Sequence, residues 1–170
     1  MAGNTVNRLA IIALGSNLGD SAKILRAALE RLQTFSVEPL SISSLWKTVP
    51  VNCPPNSPAF VNAVTEFAPR KEETPESLLA KLQAIELEFG RAPKVVLNEP
   101  RSLDLDLIAF GSETCSTPSL TLPHPRAHLR RFVLAPLDEI TPGLILPGQS
   151  RTVRELLASL PNIEHATRLD

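Results

Sequence analysis

Short apolar runs alternate with amphipathic stretches along this chain, a pattern that predicts both strands and helices. Residues 8–14 (RLAIIAL) form an unbroken apolar run closed by Gly15, as a buried strand does. Asp20 then stands as N-cap to SAKILRAALERLQTF, where Ile24, Leu25, Ala28, Leu29 and Leu32 make one helical stripe. Residues 37–46 are rich in β-forming types, with Leu40, Ile42 and Ser44 on one face. A proline-rich stretch, 50–58, separates them from FVNAVTEF, which alternates as a strand should. Thr74 followed by Pro75 reads as an N-cap with proline at the first helical position. That helix turns Leu78, Leu79, Leu82, Ile85 and Phe89 inward and ends at Gly90.

Residues 91–102 (RAPKVVLNEPRS) have no period and hold Pro93 and Pro100, so they predict a loop. LDLDLIAF (103–110) alternates strictly and reads as a strand. Segment 112–125 is irregular, 126–139 is a short helical stretch, and Thr152 with Glu155 makes a capping box for a last helix, VRELLASL. There is no internal repeat or low-complexity tract. The order β-α-β-β-α-β with C-terminal additions predicts an α+β fold. Its expected architecture is a ferredoxin-like antiparallel sheet with helices packed on it, in a single domain over 1–170.

Composition narrows the function classes. Seventeen Lys and Arg against eighteen Asp and Glu leave a net charge of -1, without the basic excess of a general nucleic-acid binder. No apolar run approaches the roughly 20 residues that span a bilayer. The first residues, MAGNTVNRLAIIALG, lack the basic start and small-residue cleavage site of a signal peptide. Cys53 and Cys115 are too few for a disulfide framework and have no metal-ligand spacing. The expectation is a soluble protein of a reducing compartment, with both thiols dispensable. Sixteen prolines are about twice the usual share of roughly 5% and predict stiff connections. With six Phe, one Trp and no Tyr, a cavity that stacks a flat ligand must use Phe or Trp46.

Asp104-Leu105-Asp106 carries the most chemistry. On a strand, positions i and i+2 share a face, so both carboxylates project together while Leu103, Leu105 and Leu107 point the other way. Two like charges side by side are unfavourable unless a cation sits between them, and Mg²⁺ is typically held by one or two carboxylates plus phosphate oxygens. A bare D-x-D is also what a solvated strand face shows. Its surroundings differ from that. Residues 91–131 hold six Lys or Arg against four acids in a chain that is close to neutral overall. Cations beside a metal-binding acid pair equip a site for phosphoryl transfer, where catalysis is positioning plus charge neutralisation.

LGSNLGD (14–20), FVNAV (60–64), IELEFGR (85–91) with PRSLDLDLI (100–108), and LPHPRAHLRRFVLAPL (122–137) occur in this order. Together they make the chain resemble 6-hydroxymethyl-7,8-dihydropterin pyrophosphokinase over residues 8–147. No G-x-x-x-x-G-K-[ST] loop occurs, and this family does not use one. The resemblance implies a ferredoxin-like fold, ATP and hydroxymethyl-dihydropterin as substrates, AMP as a product, and a monomer in the cytoplasm. By the same resemblance Asp104 and Asp106 match the acids that hold two Mg²⁺ ions. Arg91 and Arg101 match loop arginines around the triphosphate, and Glu86 a helix acid near the nucleotide. Lys94 stands at a basic loop position, while His124 and Arg130 match phosphate contacts. Gly15, Thr48, Val51, Phe60, Asn62 and Phe132 match the pterin pocket. Phe60 and Phe132 offer stacking faces, and Asn62 offers a donor and an acceptor for the amide and amino edge.

Three departures from the family pattern stand out. Pro93 replaces a second loop arginine, Asn98-Glu99 stands for Trp-Gly before Pro-Arg, and Pro125 takes the place of Tyr after the histidine. The loop 91–101 is expected to act as a lid that orders over both substrates. Two rival readings remain open. Another metal-dependent transferase would share the acids and arginines but lack the Phe60/Asn62/Phe132 pocket. A ferredoxin-like RNA-binding module would need exposed aromatics for base stacking.

Overall fold

The computed structural model describes residues 8–50, 53–91, 100–162 and 165–169. Strand β1, Ala10–Ser16, has all seven residues buried, which is why it reads as an unbroken apolar run. It starts two residues later than expected and carries Gly15 inside the strand. Helix α1, Ser21–Gln33, follows, and the Asp20 side chain accepts the Lys23 N–H at its start. Strands β2 (Ser41–Ile42), β3 (Trp46–Thr48) and β4 (Phe60–Phe67) precede helix α2, Pro75–Glu88. Thr74 and Ser77 cap α2 reciprocally, with proline at its first position.

Strand β5 is Asp104–Phe110, and β6 (Cys115–Ser116) and β7 (Thr121–Leu122) make a small hairpin within the segment expected to be irregular. A 3₁₀ turn at Ala127–Leu129 leads into helix α3, Arg131–Ile140, where one continuous short helix was expected. Helix α4, Val153–Ser159, has the Thr152/Glu155 capping box, and β8, Ala166–Arg168, ends the fold.

The main sheet runs β5-β1-β4-β3-β8, with β2 also paired to β4, and its strand pairs are antiparallel. Its first four members have the ferredoxin-like order. Both faces are covered. Ile12 and Leu14 pack with Leu25, Leu32, Leu78 and Leu82 of α1 and α2, whereas Ile11 and Ala13 pack with Val133, Leu134 and Leu156 of α3 and α4. Leu25, Leu32, Leu78 and Leu82 are fully buried, and truncating any one to Ala costs about 2–5 kcal/mol.

Three departures from simple alternation matter for the site. Residues 37–46 do not form one strand, because Ser43 breaks the ladder: its Oγ accepts the Val64 N–H at 2.9 Å where a backbone carbonyl would. Ile42 is consequently 45% exposed and not on a buried face. In β5, Ile12 pairs with Leu107 and Ile11 with Ala109, so Ile108 is an extra, bulged residue. The unexpected β8 extends the β3 edge, where Trp46 Nε1 and Ser44 Oγ both donate to Glu139 of α3. Among the described residues no helix is long and apolar enough to cross a membrane.

Candidate active site

One row of residues crosses four strands. Asp104 on β5 pairs with Gly15 on β1, Gly15 with Asn62 on β4, and Asn62 with Trp46 on β3. One step inward, Asp106 pairs with Ala13 and Ala13 with Val64. Ala13 and Val64 belong to the core beneath α3 and α4, so period-two alternation turns Asp104, Asp106, Asn62 and Phe60 to that same face. The segment 124–132 lies against it, and together they enclose a cavity of about 330 Å³.

The walls of this cavity differ in character. Gly15, Thr48, Phe60, Asn62 and Phe132 form one, and Arg101, Asp104, Asp106, Arg126 and Arg130 the other, with Val49, Cys53 and Leu129 also lining it. Gly15 leaves room that a side chain would fill: a Cβ there would lie 3.2 Å from Asn62 Oδ1 and 3.8 Å from Phe60 Cδ1. Asn62 is buried and donates through Nδ2 to Thr48 Oγ1 at 2.6 Å, which fixes its amide and leaves Oδ1 facing the position over Gly15.

The charged wall is a network of ion pairs. Asp104 Oδ1 lies 2.8 Å from Arg91 Nη1 and its Oδ2 lies 3.0 Å from Arg101 Nη1. Arg91 also pairs with Glu86, which is buried on α2 and not exposed as a helix surface charge would be. Arg130 Nη1 is 3.9 Å from Asp106 Oδ2, and its guanidinium lies 5.3 Å from the centroid of the Phe132 ring. Burial, and then the charge of Asp104, push the Asp106 carboxyl up to about 6. Burial lowers Arg130, with Arg126 adding to the effect. His124 is pushed down to about 4 by burial and by Arg130 and Arg126, so it is neutral at pH 7. Its Nδ1 accepts the Arg126 N–H at 3.2 Å, leaving Nε2–H as its donor.

Of the residues expected from sequence, Gly15, Thr48, Phe60, Asn62, Arg101, Asp104, Asp106, Arg130 and Phe132 line the cavity. Glu86 and Arg91 stand behind Asp104, and His124 is held to β5 by its N–H to the Ile108 carbonyl at 2.8 Å. Val51, Lys94, Pro93, Asn98 and Glu99 lie outside the described residues, as does the expected lid except for Arg91, Pro100 and Arg101.

Two residues were not among the expected site residues, although Arg126 counts among the cations around Asp104 and Asp106. Asn17, 3% exposed, exchanges backbone and side-chain bonds with Arg101 and donates through Nδ2 to the Pro58 carbonyl. It ties the chain before β4 to the chain before β5. Arg126 is the other, in the cavity wall. Both sit inside quoted motifs, LGSNLGD and LPHPRAHLRRFVLAPL, but nothing local distinguishes a clamp or a wall residue from an ordinary loop side chain.

Among the described residues no group of three or more His, Cys, Asp or Glu is placed to hold a metal ion. Asp104 and Asp106 supply two hard carboxylates on one face, a donor set suited to an ion whose remaining ligands are phosphate and water. The buried Nε of Arg101 has no hydrogen-bond partner among the described residues, as a donor kept for an anionic ligand would.

Comparison with known proteins gives the same direction. The family model of 7,8-dihydro-6-hydroxymethylpterin-pyrophosphokinase (HPPK) matches residues 11–142. A 2-amino-4-hydroxy-6-hydroxymethyldihydropteridine pyrophosphokinase of Haemophilus influenzae is 41% identical over 149 residues, 87% of this chain and 90% of that one. The folic acid synthesis protein fol1 of Pneumocystis carinii is 39% identical over 141 residues, 83% of this chain, yet the match spans only 18% of that relative's length. A crystal structure of wild-type Plasmodium falciparum HPPK-DHPS with SDX-DHP superposes with a TM-score of 0.72 at 15% identity, covering 89% of this chain and 44% of that one. That last likeness is one of fold. With a family model covering most of the chain and a bacterial relative matched almost end to end, the chain belongs to the 7,8-dihydro-6-hydroxymethylpterin-pyrophosphokinase family.

Proposed function

We propose that this chain transfers a pyrophosphoryl unit from ATP to the hydroxymethyl group of 6-hydroxymethyl-7,8-dihydropterin, releasing AMP, in folate biosynthesis. The observation that carries the reading is the two-walled cavity, which sets Phe60, Asn62 and Phe132 beside Asp104, Asp106, Arg101 and Arg130. A simple kinase or nucleotidyltransferase site requires the second wall but has no use for the first.

In this reading the pterin ring lies between Phe60 and Phe132. Its amide edge meets Asn62, whose orientation Thr48 fixes. The substrate hydroxyl oxygen attacks the β-phosphorus of ATP and loses its proton to solvent water. The bond from that phosphorus to the oxygen bridging the α-phosphorus breaks, and AMP leaves with the bridging oxygen. Arg101, Arg91, Arg130 and the Nε2–H of His124 orient and neutralise the phosphate oxygens. Lys94 joins them, and Val51 closes the pterin side, by family resemblance.

Asp104 and Asp106 would hold Mg²⁺, two ions with the nucleotide, which supplies neutralisation of charge at attacking and leaving oxygens. For Asp104 to ligate, Arg91 and Arg101 must hand over its two oxygens. The triphosphate offers those guanidiniums a replacement partner, so binding of metal and nucleotide is coupled through this exchange. By family resemblance the chain acts as a monomer. A chain with only two cysteines, Cys53 and Cys115, suits the reducing cytoplasm.

The test is product identity. Incubation with ATP, Mg²⁺ and hydroxymethyl-dihydropterin should give AMP and pterin diphosphate. Formation of ADP would mark a simple kinase, and free pyrophosphate a nucleotidyltransferase.

A further inference from the structure

Among the described residues, the ion pairs of the charged wall close with one cation left over. Glu86 pairs with Arg91, Asp104 with Arg101 and with Arg91, and Asp106 with Arg130. Of the described residues, three carboxylates thus face four arginines once Arg126 is included, and His124 adds no charge at neutral pH. Among the described residues the Arg126 guanidinium makes no hydrogen bond or ion pair, although its backbone N–H is fixed on His124 Nδ1. It is exposed, yet it lines the cavity and lies close enough to Arg130 for the two charges to repel. Two neighbouring guanidiniums without a shared carboxylate are unfavourable in the free protein and favourable around an anion.

Their position says which anion. Arg91 approaches Asp104 from the end of α2, and it does not line the cavity. Arg126 and Arg130 instead belong to the segment that ends in Phe132, and the Arg130 guanidinium lies against the Phe132 ring. An anion bridging the two arginines is therefore next to the ring wall, on the side of whatever group the ring occupant carries. We infer that Arg126 is a further anion-binding residue of this cavity and that, with Arg130, it holds the diphosphate of the pterin product. The inference rests on the function proposed above for the identity of the ring, but the anion-binding role does not.

Titration calorimetry with inorganic pyrophosphate and Mg²⁺ separates the two. Arg126→Gln should raise the pyrophosphate Kd roughly tenfold or more, the loss of one charge-assisted contact. Arg126→Lys should recover part of it, since an ammonium keeps the charge but not the planar fork. The Kd for hydroxymethyl-dihydropterin alone should stay within about twofold of the unsubstituted protein. An unchanged pyrophosphate Kd in Arg126→Gln, equal losses for pyrophosphate and pterin, or no binding of pyrophosphate to the unsubstituted protein would each overturn the inference. AMP formation by the unsubstituted protein is followed in parallel. If AMP is absent while the pyrophosphate result holds, the proposed function fails and the anion site stands.

Discussion

Arg101 and Asp104 face each other three residues apart, with Nη1 3.0 Å from Oδ2. Asn17 holds the Arg101 backbone on both its N–H and its carbonyl, so the guanidinium works from a fixed root. Its buried Nε has no partner among the described residues. A donor held in place and left unsatisfied gains most when charge develops on a transferring group. Arg101→Ala should therefore lower kcat more than it raises the ATP Kd. Steady-state kinetics beside ATP titrations check this. A collapse of ATP affinity with kcat intact would make Arg101 a ground-state binder.

The two acids of β5 should separate in stability while agreeing in activity. Both Asp104→Ala and Asp106→Asn should cut turnover roughly hundredfold or more, because each removes a carboxylate from the phosphate side of the site. Asp104→Ala leaves Arg91 and Arg101 short of an acceptor and should cost about 1–2 kcal/mol. Asp106 is different, since its carboxyl is raised from 3.8 to about 6. A raised carboxyl favours folding below the unfolded value, and that contribution is lost as pH climbs through the folded value. Asp106→Asn should thus match the unsubstituted protein near pH 3.5 and exceed it at pH 7.5, by about 1 kcal/mol after screening at this partly exposed side chain. Chemical denaturation at the two pH values without added Mg²⁺ reads the difference. A variant less stable at pH 7.5 would count against the assignment.

Gly15→Ala should act on one substrate only. Its Cβ would sit 3.2 Å from Asn62 Oδ1, tighter than most side-chain contacts tolerate, and 3.8 Å from Phe60. Pterin affinity should fall about tenfold, while nucleotide affinity, set by the charged residues of the lining, changes little. Parallel titrations decide it, and equal weakening of both ligands would show that the strand itself had shifted.

Asn17→Ala should loosen both sides of the cavity together. The substitution removes bonds to the Pro58 carbonyl and the Arg101 N–H from a buried position, at a cost of about 1–3 kcal/mol. Protection from hydrogen exchange should drop at Arg101 and in the chain preceding Phe60, with kcat reduced. Loss at only one of the two would mean that Asn17 anchors a single loop.

Much of this protein was determined by local pattern. The buried β1, both capped helices and the shared face of Asp104 and Asp106 follow from periodicity and capping chemistry, which act within a few residues. The cavity residues were readable because LGSNLGD, FVNAV, PRSLDLDLI and the PH…R-x-F segment keep their types in order, as a site requiring fixed chemistry demands.

Other features were decided only in three dimensions. Ser43 breaks the 37–46 strand by offering its hydroxyl to a backbone N–H on β4, a partner 21 positions away. Strand β8 has no buried face and exists because β3 presents an open edge. Glu86 looks like any helix surface acid until α2 packs beside β5 and Arg91 meets it. Asn17 becomes a clamp, and Arg126 a wall of the cavity, for the same reason: each is defined by what distant chain brings against it. Periodicity records which way a side chain points, whereas the identity of the group it meets depends on how the strands and helices are joined.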